Sequence, residues 1–151
     1  MTSKILDVNL KSLVFCFKYQ IPAMSKTGKE GSIIVCSSAM ASRASAVPAM
    51  STCGVYAASK AGADMLMKYA AIEGASTGVR VNSVAPGHVE TPIYGPTSHE
   101  QLTETAKANQ VIGRPIEPEE IAKVVLFLAS GDAAMVTGSV YNMDGGWTIK
   151  A

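Results

Sequence analysis

The sequence predicts an α/β fold: three buried strands and their flanking helices, forming half of a doubly wound parallel sheet in one unit spanning residues 1–151. Three observations predict it. A short, continuous apolar run at 31–38 and a second buried-type strand at 79–84 are bounded by small or turn-forming residues, as suits strands covered on both faces. Stretches with helical spacing lie before, between and after them. Strands that alternate with helices of this length indicate parallel pairing through crossovers.

The elements follow in order. Leu6, Leu10, Leu13, Val14, Phe17 and Ile21 recur at helical spacing and predict a helix over 5–25, ended near Gly28. Gly31 to Ser38 then reads as a strand, and 39–54, rich in Ala, Ser and Met with Pro48, as a loop. An Ala-, Gly- and Met-rich helix is expected over 55–76. A second strand covers 79–84, stopped by Pro86-Gly87. Residues 92–118 form a proline-punctuated connection with a short helix near 99–110. Pro118 opens a helix whose first turn holds Glu119 and Glu120, where carboxylates favour the dipole, and which runs to Ser130. The last strand is expected over 139–142.

Composition narrows the function classes. Hydrophobic residues make up 48% and charged ones 17%, a globular balance. The net charge of +1, without a block of Lys or Arg, argues against a nucleic-acid partner or a membrane surface. No apolar run reaches the ~20 residues of a bilayer span, and the N-terminus lacks the order of a signal peptide. Cys16, Cys36 and Cys53 lack metal-ligand spacing and read as buried thiols in a reducing compartment, so a cytoplasmic location is expected. His88 and His99 are isolated and read as loop residues without catalytic duty; no metal is expected.

The chemistry concentrates in Tyr56-Ala-Ala-Ser-Lys60. A Tyr and a Lys four apart share a helix face. A phenol with a pKa near ~10 exchanges protons poorly at neutral pH, and a nearby ammonium would lower that value. Tyr56 then becomes usable as a general acid/base, and Lys60 could also donate to ribose hydroxyls. The pair alone is weak, since it also arises by chance on helix surfaces. Its setting strengthens it: Ser37-Ser38 close one strand and Asn82-Ser-Val-Ala-Pro-Gly87 close the next, both at the carboxyl edge where open α/β sheets bind ligands.

With those residues in place the sequence resembles the short-chain dehydrogenase/reductase family, from about Asp7 to Trp147. The likeness rests on Asp7-Val-Asn-Leu10, Ser37-Ser38, Tyr56-Ala-Ala-Ser-Lys60, Asn82 to Gly87 with Thr91, Gly113-Arg-Pro115 and Gly138 to Gly146. It implies that Tyr56 is the acid/base, Lys60 its activator and ribose contact, and Ser38 a hydrogen-bond donor to the substrate oxygen. Asn9 would hold a water that relays protons to Lys60. Pro86, Gly87, Val89 and Thr91, with Tyr56 and Lys60, would line an NAD or NADP cofactor. The implied reaction is reversible hydride transfer between a nicotinamide and a small-molecule alcohol or carbonyl substrate. Family dimers also imply a homo-oligomer through helices 5–25 and 55–76, where Ala57, Ala58, Ala61 and Gly62 permit close packing; the same small residues could simply pack on the chain's own sheet.

The sequence also departs from the family. No glycine-rich turn joins a strand to a helix, so the Rossmann-like fold is expected as its C-terminal half, with the N-terminal nucleotide-binding half absent. Gly74 to Gly78 follows a helix and precedes a strand, and reads as a helix stop. The choice between NAD and NADP is unreadable and cofactor binding is expected to be weak. The strand at 32–37 would lose a neighbour. Ser38 and Tyr56 lie 18 residues apart, longer than is usual, with 43–53 as additional loop; Ser37, Ser42 and Ser45 stay open as alternatives to Ser38. Two functions remain: an oxidoreductase, or a truncated, inactive remnant that serves as an interaction module.

Overall fold

The computed structural model describes residues 2–28, 30–44 and 53–150. Three parallel strands, β1 (Gly31–Cys36), β2 (Val79–Pro86) and β3 (Val140–Met143), lie in that spatial order. Gly31 stands opposite Val79 and Cys36 opposite Val84; Ser83 stands opposite Val140 and Pro86 opposite Met143. The predicted strands are present, with two adjustments. β2 continues through Pro86, which has no N–H to donate but stands at the last rung, opposite Met143. β3 is displaced by one residue from its expected span.

The first helix is longer and less regular than its periodicity suggests. An α-helix α1 (Thr2–Leu6) passes through a π-helical turn at Asp7–Lys11 into α2 (Ser12–Ser25). Gly28, at φ +65°, turns the chain toward β1. The Ala-rich α3 (Gly54–Ala75) follows, and Gly78, at φ +72°, reverses the chain into β2. Ser98 and Gln101 cap α4 (His99–Asn109) reciprocally, and α5 (Pro118–Ala129) opens on the expected proline with Glu117 and Glu120 forming its cap. Residues 45–52, with the Ser45 alternative, lie outside the described residues.

Alternation along the strands divides the core. Ile33, Val35, Val79 and Val81 face α2 and α3, meeting Phe17, Ile21, Met67 and Ala70. Val84 and the half-buried Ile34 face the opposite way, onto Leu128, Ile121 and Val125 of α5. The sheet is therefore covered on both faces, which explains why β1 reads as a continuous apolar run. Asn82, fully buried, donates to Val136 O (2.8 Å) and accepts from Ser139 N (3.1 Å), which fixes the entry to β3.

Candidate active site

β1 and β2 both end at one edge, and the chemistry gathers there. Ser38 follows β1 directly, buried, its Oγ accepting from Met40 N at 3.2 Å. Tyr56 stands in the first turn of α3, near enough to Ser38 for that side chain to act on its phenol. Lys60 lies one turn further on, its Nζ 5.7 Å from the centre of the Tyr56 ring. The alternatives to Ser38 are placed differently: Ser37 is buried with no partner for its hydroxyl among the described residues, and Ser42 donates to Ala39 O.

The electrostatics correct one expectation. The Tyr56 phenol is pushed up from its ordinary value, first by burial, while the neighbouring Ser38 side chain works against that rise. The Lys60 ammonium does not offset the burial, because it donates to the backbone carbonyl of Cys36 at 2.7 Å. The cysteines are corrected too. All three are free thiols, but Cys36 is exposed and Cys16 and Cys53 are only half-buried.

Asn9 sits inside the π-helical turn, a distortion that recurs at functional sites. Its side-chain amide donates to Ser59 Oγ at 3.1 Å, and the buried Ser59 hydroxyl donates to Tyr56 O at 2.6 Å. Asn9 is thus tied to the backbone that carries Tyr56. Ser59 lay inside the quoted Tyr-to-Lys segment, yet spacing alone gave it no role. Gly62 has a local explanation as well: a Cβ there would come within 2.9 Å of Leu10 Cδ1, so this small residue admits the chain's own first helix.

After Pro86-Gly87 the chain enters a second wall. Val89 pairs with Ile116 as an isolated parallel bridge, and Thr91 Oγ1 donates weakly to Val89 O at 3.4 Å. His88 is no simple surface-loop residue. It is fully buried, stacked on Trp147 at 4.9 Å, with Nδ1 3.5 Å from the Tyr94 hydroxyl. Burial lowers its pKa, so the imidazole is neutral at neutral pH. Tyr94 is raised, mainly by burial and then by the neighbouring Tyr56 phenol, which brings a second phenol to the same site. His99 instead pairs with Glu90 at the surface, 2.9 Å away.

Gln110 holds this wall together. Its buried side chain accepts from His88 N (2.9 Å) and donates to Ile112 O (3.2 Å) and Arg114 O (2.7 Å). Arg114 in turn grips Glu120 with two hydrogen bonds, and this contact holds the Glu120 carboxyl at about 2. Neither Gln110 nor His88 had a sequence signal, because an isolated polar residue does not reveal its burial.

Ser38, Tyr56 and Lys60 thus stand at the carboxyl edge of a parallel α/β sheet, where open sheets of this kind bind ligands. Comparison assigns the family. Residues 1–148 match the family profile described as enoyl-(acyl carrier protein) reductase, and the chain belongs to this branch of the short-chain dehydrogenases/reductases. It is 39% identical over 147 residues to a cyclohexanol dehydrogenase from Acinetobacter sp., covering 97% of this chain and 55% of that protein. It is 35% identical over 145 residues to a cis-4-hydroxycyclohexanecarboxylate dehydrogenase from Sinomonas cyclohexanicum, covering 96% of this chain and 55% of that protein. A short-chain dehydrogenase from Leptospira borgpetersenii solved with bound NAD+ superposes with a TM-score of 0.86 at 27% identity, over 98% of this chain and 56% of that one. A 4-hydroxyisoleucine dehydrogenase complexed with NADH gives 0.88 at 29%, over 100% and 60%. The chain spans about half the length of the curated relatives it matches.

Among the described residues, no helix is long and apolar enough to cross a membrane, and no group of three His, Cys, Asp or Glu could hold a metal.

Proposed function

We propose that this chain carries the catalytic residues of a nicotinamide-dependent alcohol/carbonyl oxidoreductase, with Tyr56 as its acid/base. The observation that carries the reading is the placement of Tyr56 in the first turn of α3 at the carboxyl edge, where Ser38 closes its strand, with the Lys60 ammonium 5.7 Å from the centre of the Tyr56 ring.

The residues present suit the ribose–nicotinamide end of such a cofactor. Lys60 offers donors and the Cys36 carbonyl an acceptor at one lip of a cleft of about 440 Å³, where Asn9 also lies. Pro86, Gly87, Val89 and Thr91 stand at the end of β2 and just beyond, where a nicotinamide ring would rest. When bound, the cofactor takes or gives the hydride at the substrate carbon. The choice between NAD and NADP is left open.

The chain's own residues handle the oxygen. In oxidation, the Tyr56 oxygen takes the hydroxyl proton as hydride leaves the carbinol carbon; in reduction it returns that proton to the forming alkoxide. Ser38 donates to the same oxygen and stabilises the charge that develops there. Lys60 favours the phenolate once it turns from Cys36 toward the phenol or a ribose. Asn9, fixed on Ser59, holds the Tyr56 backbone and can order a water between itself and Lys60. Tyr94 adds a second hydroxyl to the substrate side. The substrate is a small-molecule alcohol or carbonyl compound, by analogy with the names of the relatives.

Exposed apolar side chains on the two long helices, including Phe15, Tyr19, Tyr69 and Ile72, suit a homo-oligomer formed through 5–25 and 55–76. The balance of polarity also suits a cytoplasmic protein without nucleic-acid or membrane partners.

Tyr56→Phe tests the reading. In a preparation that oxidises cyclohexanol with NAD+ or NADP+, the variant should lose at least a hundredfold in kcat with its circular dichroism unchanged. Undiminished turnover would overturn Tyr56 as the acid/base.

A further inference from the structure

Beyond Gly87 the substrate side of the site is built on a buried imidazole. His88 is fully buried, and its backbone is pinned at both ends: its N–H donates to Gln110 Oε1 at 2.9 Å and its carbonyl accepts from Ile116 N at 2.8 Å. Its ring stacks on the buried Trp147, 4.9 Å away and tilted by 32°. Arg43, in the segment that follows Ser38, donates to the Trp147 carbonyl and ties that support back to the end of β1. Packing and hydrogen bonds of this kind lock the direction in which a side chain points.

Nδ1 faces the Tyr94 hydroxyl at 3.5 Å, and Nε2 is buried without a partner among the described residues. Tyr94 closes the short helical turn Pro92–Tyr94, and its carbonyl accepts from Thr97 Oγ1 at 2.8 Å. Local bonds therefore fix its backbone, and one imidazole nitrogen aims its hydroxyl.

The protons can be counted. Burial keeps His88 neutral, and burial with the Tyr56 phenol nearby keeps Tyr94 protonated. A neutral imidazole has one N–H and one bare nitrogen. Buried N–H groups without an acceptor are rarer in folded proteins than underused acceptors. The hydrogen therefore belongs on Nδ1, where the Tyr94 oxygen accepts it, and the bare nitrogen is the unpartnered Nε2. That arrangement leaves the Tyr94 hydroxyl hydrogen free to point into the site.

We propose that Tyr94, positioned by His88, donates a hydrogen bond to a second oxygen of the substrate, and that the substrate class is a small hydroxyketone and the diketone formed from it. This rests on the assignment of Tyr56 and Ser38 to the reacting oxygen. The two phenols lie close enough to act on each other electrostatically, so one small molecule spans them. A neutral donor suits a carbonyl oxygen, whereas a carboxylate in this buried setting would need a cation as well. Tyr94 gives up no proton: the substrate hydroxyl proton still passes to Tyr56, and the hydride to the nicotinamide.

The test uses the whole chain, labelled with 13Cζ-tyrosine and 15N-histidine and titrated with 3-hydroxybutan-2-one or butan-2-ol. The second ligand has the same carbon skeleton without the carbonyl oxygen. The hydroxyketone should move the Tyr56 and Tyr94 resonances together and bind about tenfold tighter than butan-2-ol, which should move Tyr56 alone. Tyr94→Phe should bring the two affinities together. His88→Phe, which keeps a ring on Trp147, should do the same, while His88→Asn, which keeps an N–H where Nδ1 stands, should restore the preference. A purely structural His88 would not separate those two variants. In the unaltered chain the His88 nitrogen shifts should place the hydrogen on Nδ1.

Equal affinities for the two ligands, or a Tyr94 resonance that the hydroxyketone leaves unmoved, would overturn the subsite. A hydrogen on Nε2, or a preference that His88→Phe retains, would overturn His88 as the residue that positions Tyr94. Should His88→Phe fail to fold, the nitrogen shifts and Tyr94→Phe decide. Paired shifts without Tyr56-dependent hydride transfer would support the subsite while the redox reading fell. Tyr56-dependent turnover with equal kcat/KM for both ligands would do the reverse, so the two failures are distinguishable.

Discussion

Two walls meet at the site and are held by opposite means. The α3 wall, which carries Tyr56 and Lys60, is fixed by close backbone approach: the Gly74 position lies so near β2 that a Cβ would come within 2.5 Å of Val79 O. The wall after Gly87 is fixed by buried polar groups, with one amide, Gln110, tying His88 to Ile112 and Arg114. Absence of atoms secures the first wall, and satisfied hydrogen bonds secure the second. The first should therefore fail by crowding and the second by orphaned polar groups, which gives the two walls different sensitivities to mutation and pH.

The largest effect is expected on the α3 wall. Gly74→Ala forces a methyl group onto backbone, which cannot move aside as a side-chain tip would. It should cost about 3 kcal/mol, the upper part of the range for overpacking, read as a fall in the urea midpoint with an unchanged slope. A loss below roughly 1 kcal/mol would show that helix and strand can separate there, and the contrast between the walls would dissolve.

Gln110→Ala should come next, at about 2 kcal/mol, because His88 N loses its acceptor and two carbonyls lose their donor. The damage should be local. Amide exchange should quicken over 87–116 while α3 stays protected; uniform quickening would mean that the walls unfold as one unit.

The smallest effect separates the walls by pH. Burial lowers the His88 pKa in the folded state, so the unfolded chain binds that proton more readily. The contribution of neutral His88 is therefore present above the unfolded value near ~6.5 and is lost as pH falls below it. Thermal midpoints of the unaltered chain should drop between about pH 7 and 5 more steeply than those of His88→Gln. Parallel curves would remove His88 as the source.

Much of the fold was readable because it is local. Ile33 and Val35 in an apolar run, the Ala-rich periodicity before Gly78 and the proline with two glutamates at 118–120 each carry their structure within a few residues. The pairing of Tyr56 with Lys60 on one helix face was readable for the same reason, and Ser38 followed from where its strand ends. The π-helical turn at Asn9 was not, since it leaves no mark in hydrophobic spacing. Nor was the exposure of Cys36, which stands at the end of β1.

The sequence by itself determined the three strands, the order of the elements, and the residue types that meet at the carboxyl edge, because periodicity and turn chemistry act over single elements. Only the tertiary structure decided that burial raises the Tyr56 phenol, that Lys60 rests on the Cys36 carbonyl, and that His88 and Gln110 are buried. Those depend on desolvation and on hydrogen bonds between residues far apart in the chain, and both are set by which surfaces come together.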